Sequence, residues 1–448
     1  MTAHSPFATP SAALPENRRR GAGMAVADRT ALVATLLTPV FLMHGHAIAE
    51  ATIGVANLCF LARCLLTRDW AWLRGGWIPL GLAWWGWLGV CSLPLPGLGV
   101  GEGGIGSALQ AAATLRFLLF AAAMQVSILQ EPPARRWMYW VLASCAAYML
   151  VNVALQFLTG YNIYGEGHSR AGELTGPFDK PRVGPPLSRL VPPVVVPIAA
   201  LLLARRRWPA TIGAGALILV SACLVVVVSQ RMPTILTATG LLVAAVLLPR
   251  LRPVVVIALV AGGVLVGTSA IVSPPTWKRL VVQFSSQLEH FGQSHYGFLY
   301  GRSITMAEQD PVTGRGYDGF RTGCPLPRYG ERALEETRAR FNGAEVCTPH
   351  PHNFYMQALT DGGFPGLMLF CGVAVAWLVA LGRGLWRDPA PVRAGLFAST
   401  LVQLWPVQST SSFFGMPMGG WFFLLLGWGL AESRAALPLL AEESRPVR

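Results

Sequence analysis

The sequence predicts an all-α polytopic membrane protein with about 12 transmembrane helices. Of its 448 residues, 53% are hydrophobic and only 13% are charged, which is about half the charged fraction of a typical soluble domain. Apolar runs of roughly 20 residues recur along the chain, and each is long enough to cross the hydrocarbon core of a bilayer. Most of the molecular surface must therefore face lipid rather than water.

The apolar segments divide the chain into membrane and polar regions. They run over 30–47, 48–66, 77–95, 105–129, 137–158, 184–204, 208–229, 232–249, 253–272, 364–382, 393–413 and 418–433. We expect a disordered cytoplasmic tail over 1–28, helices 1–9 within 29–272, a large and mostly helical loop over 273–363, helices 10–12 within 364–433, and a second cytoplasmic tail over 434–448.

The distribution of arginines predicts the orientation of these helices. With the N-terminus in the cytoplasm, every inside loop is basic, as in Arg135-Arg136, whereas the short outside loop 94–104 has no Lys or Arg. Cytoplasmic loops of membrane proteins carry this excess, so both termini are predicted to be cytoplasmic and the long loop to lie outside. The same rule explains much of the net charge of +13, which points to anionic membrane lipids rather than nucleic acid as partners.

Several arginines on the predicted outer side oppose this rule. Arg170 lies in the loop before the sixth span, Arg231 lies in a tight turn between two apolar spans, and Arg302 and Arg315 lie in the long loop. A shared anionic ligand would explain them, because the guanidinium fork binds phosphate in a bidentate manner. Alternatively, Arg231 snorkels to the interface and the loop arginines are simply solvated.

Two histidines, His350 and His352, lie where the long polar loop returns to an apolar run. A neutral imidazole is the natural general base near pH 7, and a helix beginning after Asn353 would disfavour the imidazolium at its N-terminus. Alternatively, these histidines only cap a helix at the membrane interface. A metal site is disfavoured because no carboxylate or cysteine cluster accompanies them.

Two further pairs have structural interpretations. Cys324 and Cys347 both lie in the long loop, where an oxidising compartment would allow a disulfide bond between them. Arg116 lies inside the fourth span and Glu50 near the outer end of the second. Because a charge within the membrane is paired or functional by default, we expect these two residues to form a structural ion pair.

The segment from His352-Asn353 through Asp361-Gly362-Gly363 to Pro365-Gly366-Leu367 resembles the signature of the O-antigen ligase and polymerase superfamily. Gly301-Arg302 and the block Gly314-Arg315-Gly316-Tyr317-Asp318-Gly319-Phe320 resemble the preceding motif of that family. The long outer loop before the tenth span matches its layout. The chain departs from the family pattern in having Asp361 where Glu is usual, and His350 is an additional histidine.

The resemblance implies a glycosyltransferase of the bacterial inner membrane with a periplasmic active site. A ligase of this family moves O-antigen polysaccharide from undecaprenyl pyrophosphate to a sugar of the lipid A core, inverts the anomeric centre, and needs no metal or other cofactor. His352 would be the general base, and Arg231 and Arg302 would hold the pyrophosphate. The further candidates for this site are His350, Arg170, Arg315, Asn353 and Asp361.

Other functions are compatible with the same sequence. A polymerase or a protein O-oligosaccharyltransferase of this superfamily would carry the same signature. A membrane transporter would instead use Arg116 and Glu50 along its pathway and the histidines as a proton relay. Replacing His352 distinguishes these classes, because only the enzymes need it for glycan transfer.

Overall fold

The computed structural model describes residues 15–95, 104–169, 172–329 and 347–443. Thirteen longer helices can be followed through this part of the chain. They are α1 (Pro15–His44), α2 (His46–Thr67), α3 (Ile78–Cys91), α4 (Gly104–Ile128), α5 (Pro132–Thr159), α6 (Gly184–Ala204), α7 (Trp208–Val227), α8 (Arg231–Leu247), α9 (Arg252–Val272), α10 (His295–Gln309), α11 (Phe354–Gly382), α12 (Pro391–Gln403) and α13 (Met416–Glu443).

The architecture is that of an all-helical polytopic membrane protein, as the composition predicts. Among the described residues, eight helices are long and apolar enough to cross a membrane, namely α1, α2, α4, α5, α6, α7, α9 and α11. The helices α3 and α8 are shorter and apolar. The ion pair predicted between Arg116 and Glu50 is confirmed, with 2.7 Å between Nε and Oε1. The count of twelve spans stays a prediction.

Three boundaries differ from the sequence prediction. Residues 15–28, expected within a disordered tail, form the start of α1; their alanines and arginines have high helix propensity. The predicted span 393–413 was too long, because α12 ends at Gln403. The polar run Gln408-Ser409-Thr410-Ser411-Ser412 that follows offers hydroxyl and amide groups that compete with helical backbone bonding. Conversely, α11 begins ten residues before the predicted span.

Of the eight candidate membrane spans, α6 is the most buried, and it packs against α8 and α12 through small residues. A Cβ atom added at Gly395 of α12 would lie 2.5 Å from the carbonyl oxygen of Pro192 in α6. One added at Gly240 of α8 would lie 2.9 Å from the Pro192 ring. Glycine at these positions lets the helix backbones approach closely, which is how membrane helices gain van der Waals contact.

The region between α9 and α11, hereafter the cap, comprises the described residues 273–329 and 347–353. Besides α10, it contains the short helical segments Pro274–Trp277, Lys278–Val282, Gln283–Glu289, Phe291–Gln293, Gly319–Gly323 and Pro327–Tyr329. Leu299, Met306, Phe320 and Tyr329 form a separate small core. A disulfide bond joins Cys324 to Cys347 at its edge, so it ties the segment before His350 to this core.

The cap is joined to the bundle where α11 is interrupted. Gly363 has φ 64° and ψ −164° within the helix, a conformation that essentially only glycine adopts. The Phe364 amide consequently donates to the carbonyl of Pro311 at 2.8 Å instead of to its own helix. The Arg315 amide donates to the carbonyl of Thr360, also at 2.8 Å. These two bonds join the glycine-rich block of the cap to the break in α11.

An aromatic cluster holds the loop between α12 and α13 in place. Phe413 and Phe414 of this loop pack around Trp84 of α3, with ring centroids 5.8 and 5.3 Å from it. Phe370 of α11 lies 5.5 Å from Phe413. Buried aromatic pairs of this kind stabilise a structure beyond the area they bury. The loop is therefore anchored at its C-terminal end, three residues from Thr410.

Candidate functional site

His352 is oriented by two hydrogen bonds to one residue of the anchored loop. Its ring nitrogen Nδ1 lies 3.0 Å from the carbonyl oxygen of Thr410, and its own carbonyl accepts from the Thr410 amide at 2.8 Å. The backbone of His352 is in the left-handed region, with φ 57°, which is uncommon for residues other than glycine. The two bonds to Thr410 hold the residue in that conformation and fix the direction of its ring.

This arrangement determines which ring nitrogen can act as a base. A carbonyl oxygen only accepts hydrogen bonds, so Nδ1 must carry the hydrogen and the lone pair lies on Nε2. Within the described part of the chain, no hydrogen bond occupies Nε2. Burial lowers the pKa of His352 below its usual value of 6.5; the Thr410 bond opposes that shift and His295 adds to it. The neutral imidazole thus persists to lower pH, with Nε2 free to accept a proton.

His350 packs beside His352, with 4.4 Å between the ring centroids. Its Nε2 is buried and has no hydrogen-bond partner among the described residues. Burial lowers the pKa of His350 to about 4, and the nearby His352 and Arg321 act in the same direction. His350 is therefore neutral at physiological pH, and its ring limits the space on one side of the His352 ring.

The lowered pKa of His350 makes stability depend on pH. Between pH 6.5 and about 4 the unfolded chain binds a proton that the folded chain excludes, so the free energy of unfolding falls as the pH falls through this window. We expect the melting temperature of the detergent-purified protein to fall from pH 7 to pH 4.5, and less steeply for His350→Asn. Replacing the exposed His290 is the control, and an identical slope in His350→Asn contradicts the assignment.

Asn353 begins α11 and fixes the position of the histidine segment. Its Oδ1 accepts from the amides of Tyr355 and Met356 at 2.9 and 3.1 Å, as a helix N-cap does. Its Nδ2 donates to the hydroxyl of Tyr300 at 2.9 Å and to the carbonyl of Pro406 at 2.7 Å. With every polar atom of its side chain already bonded, Asn353 joins α10, α11 and the loop after α12 rather than acting as a free catalytic group.

Arg231 is the first residue of α8, as expected for the tight turn between α7 and α8. Its guanidinium donates to the side-chain carbonyls of Gln283 and Gln287 in the cap, the former at 3.0 Å. These acceptors are uncharged amides, and the nearby carboxylate of Glu173, which acts electrostatically on Arg231, is itself paired with Arg279 at 3.0 Å. Tyr296 of α10 is an electrostatic neighbour of Arg231, and its ring lies 5.7 Å from that of His352. Tyr296 is therefore packed against His352 and interacts electrostatically with Arg231.

Arg302 has a different environment. It is on α10 with Tyr296 and Tyr300, but its side chain points into the small core of the cap, where only 8% of the residue is exposed. Its guanidinium donates to the carbonyl of Cys324 and lies 3.2 Å from the sulfur of Cys347. Helical geometry explains this direction, since Arg302 shares a face with Leu299 and Met306. The structure does not bring Arg302 into contact with His352.

The remaining sequence candidates also have structural roles or lie outside the described residues. Arg315 is buried against the ring of Tyr329, 4.9 Å from its centroid. Asp361 is buried, and its Oδ1 accepts from the amide of Gly319 at 3.2 Å. Both side chains therefore support the junction between the cap and α11. Arg170 lies outside the described residues.

Two residues of the site are not identified by motif reasoning. Thr410 orients the His352 ring from 58 positions away in the sequence, and the Tyr296 ring lies 5.7 Å from that of His352. The polar run around Thr410, inside the predicted span 393–413, is a sequence signal for this loop, because five consecutive polar residues are not stable in a hydrocarbon core. No comparable signal marks Tyr296.

Comparison with protein families identifies a match that covers the histidine segment. A family model described as O-antigen ligase matches residues 216–371. The matched region begins in α7 and includes Arg231, the cap and His352, and it ends in α11. A search of curated proteins finds no match. The match therefore covers the segment that contains His352 and its neighbours.

Proposed function

Because the chain is a member of the O-antigen ligase superfamily, we propose that it is an O-antigen ligase. It would transfer polysaccharide from an undecaprenyl pyrophosphate carrier to a sugar hydroxyl of the lipid A core. The reaction would take place at the periplasmic face of the bacterial inner membrane, with both termini in the cytoplasm. The observation that carries this proposal is the hydrogen bond from His352 Nδ1 to the carbonyl of Thr410, since it leaves Nε2 as the proton acceptor.

The proposed step is a displacement at the anomeric carbon of the carrier-linked sugar. Nε2 of His352 accepts the proton of the acceptor hydroxyl as its oxygen forms the new glycosidic bond. The bond from the anomeric carbon to the pyrophosphate oxygen breaks, and its electron pair leaves with the pyrophosphate. Attack from the face opposite the leaving group inverts the anomeric centre. General base catalysis of this kind contributes about 10²- to 10⁴-fold to a rate.

Arg231 is the residue best placed to stabilise the leaving pyrophosphate. Its two acceptors in the cap are uncharged amides, which an anionic oxygen can displace with a stronger, charge-assisted bond. A positioned positive charge at the developing anion stabilises the transition state more than the ground state. Because arginine supplies this charge, the mechanism needs no metal ion.

Direct transfer by the purified protein tests the proposal. Wild-type protein in detergent or nanodiscs, supplied with undecaprenyl pyrophosphate-linked O-antigen and lipid A-core, should form the full glycolipid on a gel, and prior treatment with EDTA should leave the rate unchanged. Failure to form this product with an authentic donor and acceptor contradicts the ligase assignment. Activity that EDTA abolishes and a divalent metal restores contradicts the metal-independent mechanism.

The two arginines that the resemblance assigns to the pyrophosphate should behave differently. Arg231→Ala is expected to reduce transfer by about 10²- to 10³-fold, the usual cost of one group that stabilises a developing anion, without changing the melting temperature. Arg302→Ala leaves a buried carbonyl without its donor, so it should destabilise the protein by about 1–3 kcal/mol. Transfer rate and melting temperature should be measured on both variants. Lost transfer with an unchanged melting temperature in Arg302→Ala would instead place Arg302 at the pyrophosphate.

A further inference from the structure

A large cavity lies on the other side of the loop that orients His352. It has a volume of about 830 Å³ and is lined by the turn between α1 and α2, by residues within 164–166 and 177–189, and by residues within 411–421. This volume is within the range of sites that bind small molecules and cofactors. Phe178 and Trp421 give it apolar walls, and the charged side chains of Glu166, Asp179, Arg182 and Arg189 also line it.

Arg189 of α6 is the buried charge of this cavity. Only 8% of the residue is exposed, whereas Glu166, Asp179 and Arg182 are exposed at the rim. The guanidinium of Arg189 donates to the thioether sulfur of Met418, which is a weak acceptor. Within the described part of the chain, no carboxylate forms an ion pair with it. A buried charge without a partner is costly, so an anion entering the cavity would supply the missing interaction.

The cavity is adjacent to the segments that position the two residues of the proposed catalytic site, His352 and Arg231. Ser411 lines it and directly follows Thr410, which orients His352. Pro181 lines the opposite side, and its carbonyl accepts from the Gln230 side chain at 2.6 Å, one residue before Arg231. The backbone of Arg189 is itself fixed, because its carbonyl accepts from Ser399 of α12 at 2.7 Å. A ligand in the cavity would therefore be held at a defined position relative to His352.

We propose that the cavity binds a phosphoryl group of a glycolipid substrate, with Arg189 as its main ligand and Arg182 at the entrance. This proposal rests on the proposed function for the identity of the glycolipid. A guanidinium binds phosphate oxygens through two parallel hydrogen bonds, and the apolar walls suit the C–H faces of the attached sugar. The phosphoryl group can come from two sources, namely the pyrophosphate of the carrier or a phosphorylated sugar of the acceptor.

Binding of inorganic pyrophosphate and inorganic phosphate to the detergent-purified full chain tests the site independently of activity. Isothermal titration should show that Arg189→Gln weakens binding by about 10- to 100-fold, equivalent to one or two charge-assisted hydrogen bonds. Arg189→Lys should lose less, because it keeps the charge. Arg393→Gln is the matched control, since Arg393 is also buried but does not line the cavity. Unchanged binding in Arg189→Gln, or no binding by the wild type, overturns the proposal.

Transfer kinetics distinguish the two sources of the phosphoryl group. A higher KM of Arg189→Gln for the carrier-linked donor assigns the cavity to the carrier pyrophosphate. A higher KM for lipid A-core that disappears after phosphatase treatment of the acceptor assigns it to the acceptor phosphate. Unchanged KM values for both substrates overturn the assignment to a substrate. If Arg189→Gln loses pyrophosphate binding while His352→Ala still transfers glycan, the anion site stands and the proposed function fails.

Discussion

Replacing His352 with alanine is expected to reduce glycan transfer by about 10²- to 10⁴-fold, the usual contribution of a general base. The variant should still insert and fold, with a modestly lower melting temperature because the carbonyl of Thr410 loses its side-chain donor. In a ligase mutant, carrier-linked polymer should accumulate and attachment to lipid A should be lost. The glycolipid profile of a strain that carries only this variant measures both effects.

His350→Ala is the matched control for this experiment. It removes a second imidazole ring, whose centroid lies 4.4 Å from that of His352. We expect most of the transfer activity to remain. If His350→Ala abolishes transfer and His352→Ala does not, the base has been assigned to the wrong histidine. Single glycan units attached to lipid A in His352→Ala would indicate a polymerase instead. An unchanged surface glycan together with altered uptake of a small solute would favour a transporter.

The pH dependence of transfer gives a further check on the same residue. Burial lowers the pKa of His352 below 6.5, so its base form should predominate throughout the neutral range. The rate of transfer should stay constant as the pH falls to 6.5 and decline only below that value. A decline that begins above pH 7 would mean that a different group accepts the proton.

Gly363→Ala is expected to have the largest effect on folding. At φ 64° and ψ −164°, an alanine would be strained by about 1–3 kcal/mol. Its Cβ atom would also lie 2.4 Å from the carbonyl oxygen of Val312 and 2.5 Å from that of Pro311. Relieving the contact requires the cap to move away from α11, which would break the bond from the Phe364 amide to Pro311. We therefore expect a lower melting temperature and little transfer activity.

Gly263→Ala in α9 is the control for this substitution. A Cβ atom there meets nothing within 4 Å, and alanine is favoured over glycine inside a helix. Its melting temperature should equal or exceed that of the wild type. A melting temperature for Gly363→Ala within one degree of the wild type would show that the cap can move without loss of stability. The junction between the cap and α11 would then not be rigid.

The sequence predicts the membrane helices well because a transmembrane span is a local property. Length and apolarity alone identify α6, whose bounds agree with the predicted segment 184–204. The predicted helix boundaries are wrong where polar residues end a helix, as at Gln403, ten residues before the end of the predicted span 393–413. The ion pair of Arg116 was also predictable, because a charge in hydrocarbon needs a partner and few carboxylates are available.

The sequence by itself determined the helical membrane class, the turn that carries Arg231 and the motif that contains His352. The direction of each side chain was decided only by the tertiary structure. Arg302 lies in the cap core because α10 presents it on the same face as Leu299 and Met306. The lone pair of the His352 ring lies on Nε2 because a carbonyl 58 residues away accepts from Nδ1. Apolarity can be read from consecutive residues, whereas hydrogen-bond partners and cavities arise only when distant segments pack together.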